Sequence, residues 1–114
     1  MAATGSDSDL QAPVPTIWFE RPEMDAILSV YGRLVASGEA RDYGIGMLPD
    51  RAIFAIYRRT AEAPTWRIEK IPALARRQGA FVLTGSAGQV LKRGFTIASV
   101  LSVFAARRFQ VVSG

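Results

Sequence analysis

The apolar residues change period near residue 42, and that switch restricts the fold more than any other feature of the chain. Before it, Met24, Ile27, Leu28, Tyr31, Leu34 and Val35 recur at helical spacing. The helix starts at Arg21-Pro22-Glu23, where proline takes the first helical position and Glu23 and Asp25 suit the positive end of the dipole. Gly38 is placed to end it in a left-handed cap. After the switch, Tyr43, Ile45 and Met47 alternate with Gly44, Gly46 and Leu48, which is the period of a strand. Leu48-Pro49-Asp50-Arg51 reads as a turn. Ala52 to Arg59 and Thr65 to Ile71 form a hairpin across Thr60-Ala61-Glu62-Ala63-Pro64, and Pro72 to Gln78 is a helical turn or a basic loop. Ala80 to Thr84 resumes strand chemistry and folds back through Gly85-Ser86-Ala87-Gly88 onto Gln89 to Arg93. Gly94 breaks that strand. Thr96 N-caps a final helix in which Ile97, Val100, Leu101 and Phe104 share one face, with Arg107 and Arg108 at its negative end. Ile17-Trp18-Phe19 is a further short strand candidate.

Tight connections imply antiparallel neighbours. The expected fold is therefore α+β: an antiparallel meander sheet of about five strands with an N-terminal and a C-terminal helix packed on one face. A chain of 114 residues supports one core, which we assign to a single domain over residues 16–112 behind a disordered tail over residues 1–15. Two helices cover only one face. In Ala52 to Arg59, Phe54 and Ile56 point one way and Ile53, Ala55 and Tyr57 the other, so both faces are apolar. The second face is expected to curl closed, to lie under the tail or to be buried in a partner, a homodimer included.

The chain has no cysteine and no histidine, which removes disulfides, zinc fingers, thiol nucleophiles and the imidazole base of the common hydrolase triads. Asp42 and Asp50 sit at opposite ends of one strand, and Ser86 with Lys92 has no third group to complete a site. We expect no enzyme, no cofactor and no metal. Gly85-Ser86-Ala87-Gly88 leads into a strand, whereas a phosphate loop leads into a helix, so it is read as a hairpin turn. Residues 1–15 hold no Lys, no Arg and no apolar run, and Phe95 to Ala106 is only twelve residues long, against roughly 20 for a membrane span. The expected compartment is the cytoplasm, with no membrane contact.

Charge is divided unevenly along the chain. Residues 1–50 carry three basic and eight acidic side chains, a balance of −5, while residues 51–114 carry eleven basic and two acidic, a balance of +9. Clustered cations concentrate anions, so the expected partner is nucleic acid, a ribonucleoprotein or an acidic protein. Arg58, Arg59, Arg67, Arg76, Arg77, Lys92 and Arg93 are the candidate phosphate contacts, with Tyr57 and Trp66 as candidate stacking platforms. The competing account treats these cations as solvated strand and helix ends, some paired with Glu62 and Glu69, and takes Trp18, Phe19, Trp66 and Phe81 as core residues. Arg77-Gln78-Gly79-Ala80-Phe81-Val82 shares only the end of the RNA-recognition-motif signature, and the order of elements is wrong for that fold. The alternative is a homodimeric or complex-forming subunit that works through its uncovered sheet face.

The segments Glu39-Ala40-Arg41-Asp42-Tyr43, Asp50-Arg51-Ala52-Ile53-Phe54, Arg67-Ile68-Glu69-Lys70, Leu74-Ala75-Arg76-Arg77-Gln78-Gly79 and Gly88-Gln89-Val90-Leu91-Lys92-Arg93-Gly94 resemble an uncharacterised family of small alphaproteobacterial proteins, domain-of-unknown-function family twenty-seven ninety-four. The likeness covers roughly residues 17–108. It implies a bacterial cytoplasmic protein, and it carries no activity, cofactor or catalytic residue.

Overall fold

In the computed structural model, which describes residues 15–59 and 63–105, the order of elements is α1 (Arg21–Ala36), β1 (Asp42–Met47), β2 (Ala52–Tyr57), β3 (Trp66–Lys70), a 3-10 turn (Pro72–Leu74), β4 (Phe81–Thr84), β5 (Val90–Gly94) and α2 (Ile97–Ala105). The five strands lie in sequence order and every neighbouring pair is antiparallel. The fold is an α+β meander. The expectations for the tail, for Thr60, Ala61 and Glu62, and for Arg107 and Arg108 lie outside the described residues.

Both ends of α1 and the start of α2 carry the chemistry that the sequence predicts. Glu23 accepts the Glu20 N–H at 2.7 Å at the start of α1, and Gly38 beyond its end has φ 80°, a conformation that costs glycine nothing. Thr96 Oγ1 accepts the Ser99 N–H at 3.1 Å at the start of α2. Gly94, expected to break the last strand, is its final residue.

The core lies between the helices and one face of the sheet. Phe54, Ile56, Ile68 and Leu83 are fully buried from the strands, and Ile27, Leu34, Val100 and Phe104 from the helices. Phe54 stacks on Tyr43 at 4.9 Å, and Tyr31 of α1 meets the Tyr43 ring edge-on at 5.0 Å.

Ile17-Trp18-Phe19 is not a strand. One backbone hydrogen bond, from the Ile17 N–H to the Leu48 carbonyl at 2.8 Å, holds it instead. Successive side chains of this extended segment face opposite ways: Phe19 is buried, while Trp18 is 58% exposed and is not a core residue. Lys70 ties the segment down, donating to the Trp18 carbonyl at 3.2 Å and to Glu23 at 2.8 Å. Among the described residues no helix is long and apolar enough to cross a membrane.

Candidate functional site

Cross-strand register decides which side chains share a face, because residues directly opposite in an antiparallel pair point the same way. Gly44 pairs with Ala55, Ala55 with Arg67 and Arg67 with Thr84. Gly46 pairs with Ile53, Ile53 with Glu69, Glu69 with Val82 and Val82 with Arg93. These two rows run across the face away from the helices. Tyr57, opposite Asp42, belongs to it, and Arg51 continues the alternation of Ile53, Ala55 and Tyr57.

Glu69 is the only buried charged residue among those described, 7% exposed, although neither described helix covers its face. Arg51 Nη1 donates to Glu69 Oε1 at 2.6 Å, and Arg67 Nη2 lies 3.4 Å from Oε2. Arg51 Nε also reaches Asp50 at 3.2 Å. The hydrogen bonds to Glu69 and then Asp50 push the Arg51 pKa up, so the side chain stays cationic. Arg93 comes from the far edge of the sheet, two strands from Glu69, and its Nη1 is buried with no hydrogen-bond partner. Two cations, Arg51 from the turn before β2 and Arg67 from β3, thus pair with one carboxylate, and Arg93 lies farther along the same cross-strand row, beyond Val82. A shallow cleft of about 330 Å³ adjoins Arg67 on this face, lined also by Gly44, Gly46, Ile53 and Tyr57.

The remaining candidates are dispersed. Arg58 and Arg59 are exposed just beyond β2, whereas Arg76 and Arg77 are exposed after the 3-10 turn, at the opposite end of the sheet. Lys92 pairs with Leu83 and so lies on the helix side, across the sheet from its neighbour Arg93. Trp66 pairs with Ile56 on the helix side and packs edge-on against Phe104 at 5.3 Å. Of the nine sequence candidates, Tyr57, Arg67 and Arg93 share the helix-free face. Sequence reasoning misses Arg51 because it reads as part of a turn, and Glu69 because it reads only as a neutralising partner. Strict alternation from Tyr57 back to Arg51 is the signal that finds the first of them.

The apolar surplus expected on the second face is distributed differently. Ala55 and Val82 are buried there and Ile53 and Tyr57 half-buried. Tyr43, Ile45 and Met47, on the edge strand β1, are 42, 47 and 54% exposed.

A family model, described as a protein of unknown function, matches residues 17–101, which takes in every strand and most of both helices. The chain belongs to DUF2794. Comparison of this DUF2794 chain with curated proteins and with solved structures returned no match. Within the DUF2794 fold, no group of three or more Asp, Glu, His or Cys among the described residues is placed to hold a metal.

Proposed function

We propose that this protein is a non-catalytic binding module that holds nucleic acid by its phosphate backbone on the helix-free face of the sheet. The observation that carries this reading is that Arg51 and Arg67 pair with a single buried carboxylate on that face, with Arg93 in the same cross-strand row. Glu69 fixes two of the guanidiniums while leaving the cluster cationic, and guanidinium suits phosphate. Tyr57 on the same face offers an aromatic surface to a base. Backbone contacts without a base-reading element make the binding insensitive to sequence.

Three phosphate contacts set the salt dependence. For single-stranded RNA or DNA the slope of log affinity against log salt is about −2, a fall of roughly 20-fold between about 50 and 200 mM salt. Fluorescence anisotropy with a labelled oligonucleotide measures it. Replacing Arg67 and Arg93 together with alanine abolishes most of the binding, and replacing Arg76 and Arg77 leaves it near the original value. Absence of binding, salt-independent binding or the reverse mutational pattern overturns the reading.

A further inference from the structure

β1 ends the sheet, and its two edges have different surroundings. One is bonded to β2; the other presents its N–H and C=O groups to no strand among the described residues. The opposite edge, β5, carries Lys92 and Arg93 and an irregular register between Leu83 and Thr84, features that discourage further pairing. From Tyr43 to Met47, β1 has no charge and no proline. Its glycines are also unaccounted for by the fold. Neither Gly44 nor Gly46 has a positive φ, and a Cβ at either would meet only ordinary contacts at 3.8 Å, with Tyr57 and Ile53. Glycine in a strand costs about 0.5–1 kcal/mol relative to alanine and often marks the close approach of another backbone.

The geometry points to a second copy of this chain as the occupant, paired antiparallel through β1 about a two-fold axis at Ile45, so that two sheets join into one of ten strands. A two-fold axis normal to the sheet keeps the helix sides of both copies together, which requires residues of equal parity to oppose each other. With the axis at Ile45, Ile45 faces Ile45 and Tyr43 faces Met47 on the helix side, while Gly44 faces Gly46 on the other. Every exposed apolar side chain of β1 then has an apolar partner. Moving the axis to Gly44 sets Met47 opposite Arg41, and moving it to Gly46 sets Asp42 against Asp50.

The flank of α1 adds to the contact. Leu28 and Val35 lie on the helical stripe of Tyr31, which touches Tyr43, and are 39 and 46% exposed. With Leu48 and the three β1 side chains they present roughly 500 Å² per copy, so that two copies reach the roughly 1,000 Å² that is the lower bound for a specific interface. This interface is independent of the phosphate-binding face.

The test is mass in solution together with site-directed cross-linking in a chain that has no cysteine of its own. Multi-angle light scattering at about 100 µM should give twice the 12.4 kDa of one chain. Ile45→Lys should return it to a single chain with its circular dichroism spectrum retained. Under mild oxidation Ile45→Cys should form a covalent dimer, because opposed strand residues lie about 4.5–5.5 Å apart, within disulfide reach. Tyr43→Cys alone should not, but Tyr43→Cys mixed with Met47→Cys should. A monomer at about 100 µM, a dimer untouched by Ile45→Lys, or an Ile45→Cys dimer that fails to cross-link overturns the proposal. The cross-linking arm stands even if the lysine variant fails to fold.

Discussion

Gly79 and Gly88 both have left-handed backbones, with φ of 92° and 81°, yet alanine should cost very different amounts at the two. At Gly88 an added Cβ meets nothing within 4 Å, so only the conformational penalty remains. That penalty is about 1–2 kcal/mol, offset in part by the reduced freedom of the unfolded chain, leaving about 1 kcal/mol. At Gly79 the same Cβ would run into the Gly94 carbonyl and lie 2.8 Å from the Phe95 nitrogen. Backbone cannot rotate aside as a side chain does. The turn that begins at Pro72 must then lift from the end of β5, straining the hydrogen bonds from Gly79 N–H to Leu74 and from Ile71 N–H to Ala80. Such overpacking adds about 1–3 kcal/mol. The expected loss for Gly79→Ala is thus about 3 kcal/mol, and since 1 kcal/mol corresponds to about 4–8 °C in a domain of this size, Tm should fall by roughly 15 °C, against about 5 °C for Gly88→Ala. Urea denaturation followed by circular dichroism measures both losses, and an unchanged m-value licenses the comparison. Losses equal within about 0.5 kcal/mol would refute the close approach of residues 79 and 94.

Glu69→Gln should lower stability by about 1 kcal/mol rather than the 3–5 kcal/mol of a fully buried pair, because the Arg51 and Arg67 side chains are 35 and 43% exposed and can rehydrate. The same variant should tighten oligonucleotide binding in the anisotropy assay, since it removes the one anion buried in the cluster. Burial first, then Asp42 and Tyr43, raise the Tyr31 phenol above its ordinary value of 10.0. The folded state therefore holds that proton more tightly than the unfolded one: stability is complete below pH 10 and falls as pH rises through the folded pKa. Denaturation midpoints measured from pH 8 upward should show a shallower alkaline loss in Tyr31→Phe.

Period and capping make most of the fold legible. Met24 to Val35 can bury one stripe only as a helix, and Pro22, Gly38 and Thr96 mark its two ends and the next helix's start by local chemistry alone. The strands follow from alternation between turns, and their order from the shortness of those turns. Ile17-Trp18-Phe19 reads as a strand and is not one, because three apolar residues have strand propensity but no ladder, and a ladder depends on neighbours that a local pattern does not contain. The site is less legible, for a related reason. Adjacent arginines look like clusters in a linear string, but a strand sends neighbours to opposite faces, and the sheet divides Lys92 from Arg93. Arg51, Arg67 and Arg93 lie 16 and 26 residues apart and come to one face only through register.

The two surfaces are compatible because they use different directions of the same sheet. Edge pairing through β1 occupies backbone groups in the plane of the sheet, whereas Arg51, Arg67 and Arg93 project normal to it. About an axis at Ile45 the helix-free faces of both copies lie on the same side, and Gly44 and Gly46 leave the seam between them without side chains. Five strand spacings of about 4.8 Å separate the two β3 strands, which places the arginine clusters roughly 24 Å apart on one continuous surface. A slope of about −2 therefore belongs to the dilute single chain. Where the dimer forms, one nucleic-acid strand can cross both clusters, and the glycines that the isolated fold leaves unexplained become the bare track along which it crosses.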